Sequence, residues 1–430
     1  MAIPMTHPPH APHPSRRGRT RHAGRFLACL GLAAGLAAPP PAWAGQDQEF
    51  VSVGQLSDRL NNAEPNVRRT ALKALAALGP EALDPISLLV ADPVRDIRSQ
   101  AILAVAAIYV EPPPKRRVQT VQDAFEWSPY LATPWTVPPV LVTNLVRALA
   151  DDWPSVRRDA AYALGVVLTP PVDARVADEL VYSLADPASD VRLAAVRALG
   201  RLRAARAGDQ LIGRIVDPVL AVRLAAMRAV GEIREARSLV ALRQQLDYYG
   251  RASAGRAAMD ALARIAHSST AGLFEQERFS DSEAFRRSAY EGIARLGGVR
   301  DGDVAAVEQR LTEERDAQVR IAMTFALAAT GRPYLDRIVQ LLPDREVADQ
   351  AVEYLIELGR AQPDALIPHL QDRDPVVRGR VAIAVGFVGG ARAEADLSRL
   401  TTDGDPAVRR AAETALLRMR GAGTRTGSPR

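Results

Sequence analysis

The sequence predicts an all-α fold: an α-solenoid, or α-α superhelix, of about eleven helical hairpins. Three observations point there. One phrase recurs along the chain: an acidic turn, then Val-Arg, then an Ala-rich stretch ending in Gly. Within it, apolar residues fall at helical spacing. The apolar content is 47% of the chain but aromatics are only 5%, so Ala, Leu and Val dominate, a mixture that suits close-packed helices better than strands. At 430 residues the chain also outgrows a single core, which stops near roughly 250–300 residues, so it must divide or extend by repetition.

The clearest copy is Asp186-Pro187-Ala188-Ser189-Asp190-Val191-Arg192-Leu193-Ala194-Ala195-Val196-Arg197-Ala198-Leu199-Gly200. The same phrase begins at Asp151, Asp217, Asp372 and Asp403, and weaker versions surround Arg68, Arg98, Arg256, Arg286 and Arg320. One unit has Ala348 where the Arg would stand. Units follow one another about 28–35 residues apart, within the range of helical repeats, except for one gap of about twice that.

Counted from Val191, the apolar residues Ala194, Ala195, Ala198, Leu199 and Leu202 line one face of an α-helix. The Asp-Pro ahead of it makes a turn, because Pro lacks an N–H and disfavours helix in the residue before it. Asp or Ser there caps free N–H groups. Gly200 falls inside the helical pattern at a cost of ~1 kcal/mol, which a closely approaching neighbour helix would offset. Gly359 and Gly389 come later in their units and read as helix stops. Before each phrase lies a second amphipathic segment of about ten residues, as at 176–184, 211–216 and 365–370. Each unit is therefore two antiparallel helices, which bury their apolar stripes only when stacked.

The repeated Asp-Pro-x-x-x-Val-Arg-x-x-Ala-Ala phrase resembles HEAT repeats, in particular the short HEAT-like type of phycobilisome lyase subunits, over nearly all of 52–419. The resemblance is specific for the fold and not for function, since the same scaffold hosts many roles. It implies that turn Asp and helix Arg residues form a ladder of hydrogen bonds between units. Six units have this spacing: Asp92/Arg98, Asp151/Arg157, Asp186/Arg192, Asp217/Arg223, Asp372/Arg378 and Asp403/Arg409. The planar guanidinium supplies several oriented donors for such a ladder. The competing reading, a row that binds anions, is the weaker of the two.

The resemblance also implies that the second helix lines the concave surface. Five residues after each ladder position stand Lys73, Leu103, Tyr162, Arg197, Arg228, Ala261, Glu291, Phe325, Glu353, Ile383 and Thr414. Lys73, Tyr162, Arg197, Arg228 and Phe325 are the partner-binding candidates of this row. Its early and middle parts are basic and later parts carry Glu291 and Glu353, a gradient suited to a partner of mixed charge. The bland alternative is a solvated face with arbitrary charges.

Between 110 and 139 the repeat is interrupted by Pro112-Pro113-Pro114-Lys115-Arg116-Arg117, then Phe125, Trp127, Tyr130 and Trp135, then Pro138-Pro139. Prolines exclude a long helix here. Long irregular segments are uncommon and often functional. Trp127, Tyr130 and Trp135 either form a binding surface or fold back and seal the gap between units; the sequence leaves both open.

Residues 1–44 read as a cleavable bacterial signal peptide, which implies a periplasmic or secreted protein. A basic region runs to Arg25, an apolar stretch spans 26–38, and Ala42-Trp43-Ala44 offers a cleavage site. The stretch is shorter than the ~20 residues a membrane span needs. Of the net charge of +5, all lies in this leader: five Arg leave 50 basic residues (55 − 5) against 50 acidic ones. The rest of the chain has no basic field for nucleic acid. Its one cysteine, Cys29, also lies in the leader, so no disulfide or thiolate chemistry is expected beyond it.

No catalytic motif appears. His267 and His369 stand alone, outside any paired metal motif. The HEAT-like deoxyhypusine hydroxylases need several His-Glu pairs, and here Ser268 and Leu370 follow the histidines. Lysines beyond the leader are limited to Lys73 and Lys115. No cofactor, metal site or enzymatic activity is expected. The expected function is an exported scaffold or adaptor for a protein or peptide on the concave face of the solenoid at 45–420. Two alternatives remain: a chromophore-lyase-like or cofactor-handling protein, and an envelope spacer. Residues 421–430 read as a disordered tail, and the oligomeric state is not encoded in any recognisable pattern.

Overall fold

The computed structural model describes residues 52–110, 117–390 and 392–423. The leader at 1–44 and the end of the tail lie outside them. The described chain is helical throughout, in eleven units of two segments each. The first two are α1 (Val53–Leu60) with α2 (Pro65–Ala77), and α3 (Leu83–Leu89) with α4 (Arg95–Tyr109). An additional helix, α5 (Val121–Leu131), stands alone. Next come α6 (Pro139–Ala148) with α7 (Pro154–Val167), α8 (Ala174–Tyr182) with α9 (Ser189–Arg201), and α10 (Gly208–Arg214) with α11 (Leu220–Glu232). Then follow α12 (Leu239–Tyr249) with α13 (Ser253–Ile265), α14 (Ala271–Glu277) with α15 (Glu283–Arg295), and α16 (Val304–Glu313) with α17 (Ala317–Ala328). The last are α18 (Leu335–Gln340) with α19 (Ala348–Ala361), a 3-10 segment (Pro363–Gln371) with α20 (Pro375–Val388), and α21 (Ala393–Leu400) with α22 (Pro406–Gly423). The final helix thus enters the stretch assigned to the tail by three residues.

The second helices stack on one another along the chain, α7 on α9, α9 on α11, α11 on α13 and α13 on α15. They form the inner layer, and the shorter first helices lie outside it. Their apolar stripes are buried as the spacing requires: Val191, Ala194, Ala195, Ala198, Leu199 and Leu202 are all fully covered. Glycine permits the close stacking. A Cβ on Gly200 would lie 2.9 Å from Ala229 Cα, and one on Gly386 would lie 2.7 Å from Ala415 Cα. Gly389 ends α20 with φ 78°, a conformation glycine adopts freely. Gly359 is not a stop: it sits inside α19, where a Cβ would meet Leu366 and Val388. Its role is that of Gly200, packing room for a neighbour.

At the turns of six hairpins, a helix Arg makes a repeated bridge to a carboxylate of the next unit. Arg192 Nε and Nη2 donate to the Asp217 carboxylate of the next unit at 2.9 and 3.0 Å, while Nη1 donates to the Asp186 and Pro187 carbonyls of its own turn. Asp217 in turn accepts from the Val219 N–H. Arg68 reaches Asp92, Arg98 reaches Asp151, Arg157 reaches Asp186, Arg286 reaches Glu314 and Arg378 reaches Asp403 in the same way.

Two arginines assigned to the ladder are corrected, because neither meets a carboxylate across a unit boundary. After Arg223 the next turn offers Gly250, with φ 51°, where the carboxylate would stand. Arg223 keeps its own carbonyls, but its Nε is buried without a partner. Arg409 belongs to the last of the described units, and among the described residues it meets no acid. Its Nη1 still donates to the Asp403 and Gly404 carbonyls at 2.7 and 3.2 Å, which braces its own turn and links no units. Spacing within a unit fixes the carbonyl half of the bridge; the carboxylate half depends on the unit that comes next.

Candidate functional site: an arginine-lined inner cavity

The interruption at 110–139 folds into a helix and returns to the solenoid. Thr120 and Asp123 form a reciprocal cap that starts α5, and Pro129 is accommodated in its last turn. Strand-like contact ties its far end back, with Thr133 N donating to Tyr109 O at 2.8 Å. Phe125 is buried against Tyr162 of α7, ring centroids 5.1 Å apart, and over Gly165, whose lack of a Cβ admits the ring. Arg201 of α9 lies over the same ring at 3.8 Å and donates to the Phe125 carbonyl and to Ser128 Oγ. Burial pushes the Arg201 guanidinium down to about 10. Arg197 of α9 meets Glu126. On its other side α5 reaches the end of the chain: Tyr130 packs edge-on against Phe387 of α20, and Arg418 of α22 donates to Ala132 O at 3.1 Å. The insertion thus spans the inner side between the third and fourth units and the tenth and eleventh.

Charged pairs also cross the inner side. Arg264 of α13 meets Glu353 of α19 at 2.6 Å, and Arg295 of α15 meets Glu357 of α19 at 2.7 Å. Tyr354 OH donates to Glu291 at 2.7 Å, and Phe325 stacks on the Tyr354 ring at 4.1 Å. Burial opposes ionisation of Glu353, but Arg264 and Arg295 outweigh it and hold the carboxyl below its usual range. Burial likewise works against the Arg295 charge, and Glu357 and Glu291 overcome it.

These elements border a half-open cavity of about 460 Å³. Tyr130 and Phe387 form one wall, the ends of α9 and α11 another, and Arg264, Arg295 and α19 the rest. Seven arginines and three glutamates face it. Arg203 and Arg234 reach it from the turns just after α9 and α11, where both have left-handed backbone, φ 48° and 54°. Arg234 has Glu357 at 3.7 Å. Arg203 and Arg360 have no ion pair among the described residues. Burial and the nearby charge of Arg203 lower the Arg360 pKa; Glu357 opposes them and Arg234 adds to them.

The candidates read from sequence are distributed unevenly around this site. Arg228 lines the cavity, paired with Glu232, and Tyr130 forms its wall. Arg197 lies beside α5, and Lys73 is exposed on α2, away from the cavity. Trp127 and Trp135 are half-buried against the core. Tyr162 and Phe325 are corrected as partner-facing residues: they are 1% and 2% exposed, covered by Phe125 and Tyr354 respectively. The cavity arginines at 201, 203, 234 and 360 escaped the reading. They stand nine residues or more past the ladder position, or in the cap, and a row counted at five residues misses them. The one available signal was the pair Arg203 and Arg234, each eleven residues after a ladder Arg. His267 caps a short 3-10 segment and His369 meets Asp336 at 3.2 Å. Among the described residues no group of His, Cys, Asp and Glu is arranged to hold a metal ion, and no helix is long and apolar enough to cross a membrane.

The family model of HEAT repeats matches residues 177–255 and 363–426, in agreement with this architecture. A comparison with curated proteins finds no match. Among solved structures, an engineered protein is similar at 18% identity and TM-score 0.42, covering 86% of this chain and 98% of its own. The complex of CpcE and CpcF of phycocyanin lyase from Nostoc sp. is similar at 16% identity and TM-score 0.32, covering 68% of this chain and 100% of its own. Eleven stacked hairpins, their matched turns and the two matched regions give one conclusion: the chain is an all-α solenoid of HEAT-like repeats.

Proposed function

We propose that this chain is an exported, non-catalytic HEAT-repeat scaffold that holds a protein partner along its turn edge. The observation that carries the reading is where the exposed apolar side chains stand. Of twelve large exposed hydrophobic residues among those described, three (Trp153, Val216 and Phe279) lie in the turn between the first and second helix of a hairpin, and five more (Leu88, Tyr182, Leu220, Tyr248 and Val376) lie on the helix ends that adjoin such a turn. Five of these follow one another through successive units: Trp153, Tyr182, Val216, Tyr248 and Phe279, from 48% to 81% exposed. Arg95 lies over Trp153, and Arg278 and Arg310 lie over Phe279, so two of the four aromatics are presented against cations. Exposed aromatics flanked by Arg are the side chains that carry protein interfaces. The inner groove, where an extended partner was expected, is occupied in part by α5 and the crossing ion pairs, which favours the turn edge. Export rests on the first 44 residues alone and would place the partner in the periplasm or outside the cell.

The test is capture from a periplasmic extract with the chain and with Tyr182→Ala/Tyr248→Ala, followed by mass spectrometry. The expected result is a protein retained by the first and lost by the second, with equal melting temperatures. Equal recovery by both would remove the turn edge as the docking surface. An uncleaved leader in the expressed protein would remove export.

A further inference from the structure

We infer that the inner cavity is a binding site for a small oxyanion of two or more negative charges, a phosphate ester or a polycarboxylate, held by Arg203, Arg234 and Arg360. The crossing pairs satisfy Arg264 and Arg295 with Glu353 and Glu357. That leaves three exposed guanidinium groups at the cavity, with Glu357 acting on both Arg234 and Arg360. Arg360 and Arg203 meet no carboxylate among the described residues, and Arg234 shares Glu357, which is already bonded to Arg295 at 2.7 Å. Like charges brought together without a counter-charge are unfavourable, and a bound anion removes that repulsion.

The backbone gives an independent indication. Arg203 and Arg234 occupy equivalent caps in successive units, and each has a positive φ that favours glycine. The third cap of the series, Ala266, shares the conformation at φ 47° but carries no charge, and it does not line the cavity. Arginine stands in the strained cap at the two positions where its side chain reaches the cavity. Ala266 shows that this cap does not itself require arginine, so the two arginines are read as placed for the cavity. A guanidinium fork gives paired donors to a phosphate or carboxylate. The volume, about 460 Å³, suits a small molecule and not a folded partner. The site therefore stands apart from the turn edge and from the partner proposed for it.

Isothermal titration of the purified chain with inorganic pyrophosphate and, separately, with citrate tests the site. Saturable binding of one or both is expected, weakened by added salt; the stronger of the two identifies the phosphate or the carboxylate class. Arg203→Gly and Arg360→Gln should each weaken it by about tenfold, the loss of one charge-assisted contact. Arg203→Gly relieves the backbone, so its melting temperature should hold or rise, which separates lost binding from lost folding. Absence of saturable binding of both probes overturns the proposal, and so does binding that both substitutions leave unchanged.

Discussion

On the turn edge, Arg192 finds a carboxylate in the next unit at 2.9 Å and two carbonyls in its own turn, and the Asp217 it meets has no exposed side-chain surface. On the inner face, Arg203 and Arg360 meet no carboxylate among the described residues, and the backbone of Arg203 is left-handed. The residue type is the same and the hairpins are the same. The difference lies in the partner supplied by the neighbouring unit. Where the next turn carries an acid, the ladder Arg and that acid hold the two units in register. The inner face receives its neighbours from distant units and from the insertion, and there the count of arginines runs ahead of the acids.

The largest expected effect breaks the ladder side of this comparison. Arg192→Ala strands the Asp217 carboxylate, whose other contacts are the Val219 N–H and Arg214 at 3.5 Å. Removing one member of a buried pair costs about 3–5 kcal/mol, because the other charge stays behind. Urea denaturation measures it. A loss below about 1 kcal/mol would put the ladder among surface ion pairs.

Acid should act on the same bridges. Burial opposes ionisation of Asp186, Asp217 and Glu314, but Arg157, Arg192 and Arg286 outweigh it and hold these carboxyls below their usual range. At Asp403 the hydrogen bond from Arg378 leads and has the same direction. A carboxyl whose folded pKa is depressed contributes stability that is complete above its unfolded value, roughly 3.9 for Asp and 4.3 for Glu, and lost as pH falls through the folded value. Stability should therefore stay level down to about pH 5 and fall below about pH 4. Denaturation curves across that window check it, and Arg192→Ala should show a shallower fall because the depression of Asp217 has gone.

Arg223→Ala supplies the internal control. Its bonds to the Asp217 and Pro218 carbonyls match those of Arg192, yet Gly250 gives it no carboxylate across the unit boundary. The loss should be about 1 kcal/mol, the net contribution of ordinary hydrogen bonds. A loss equal to that of Arg192→Ala would mean the carbonyls, and not the carboxylate, hold the turns together.

How much of this was legible depended on sequence distance. The Val191–Leu202 apolar face, the Asp186 turn and the close approach at Gly200 are set by residues within one unit and the next, and a repeated pattern displays them. The ladder was legible to the same extent: the spacing marks Arg223 and Arg409 as members, but a bridge also needs an acid in the following turn, which Gly250 denies Arg223 and which Arg409 does not meet among the described residues. The Gly359 reading failed because a glycine near a helix end looks alike whether it stops the helix or admits Leu366. The covering of Tyr162 and Phe325 was hidden for a different reason. Helical period tells which face the adjacent units leave free, but not that Phe125 comes to lie on Tyr162, or that Tyr354 covers Phe325 across the boundary to the next unit. The cavity arginines converge from α9, α11, α13, α15 and α19 and the turns after the first two, and no spacing along the chain encodes that convergence.

The smallest effect sharpens the inner-face side. Arg203 sits at φ 48°, where an L-residue loses about 1–2 kcal/mol to contact between its Cβ and the backbone. Glycine escapes that loss but gains freedom in the unfolded chain, worth about 0.4–1 kcal/mol in the other direction. With no ion pair to forfeit, Arg203→Gly should raise stability by about 0.5 kcal/mol, the balance of the two effects. Differential scanning calorimetry reads this as a small upward shift of the transition. A fall of more than about 1 kcal/mol would mean that the Arg203 side chain supports the fold as Arg192 does, and the contrast between the two faces would then lie in geometry alone. A rise accompanied by lost pyrophosphate binding would show that the charge at this cap is kept against the preference of its own backbone, for the sake of what enters the cavity.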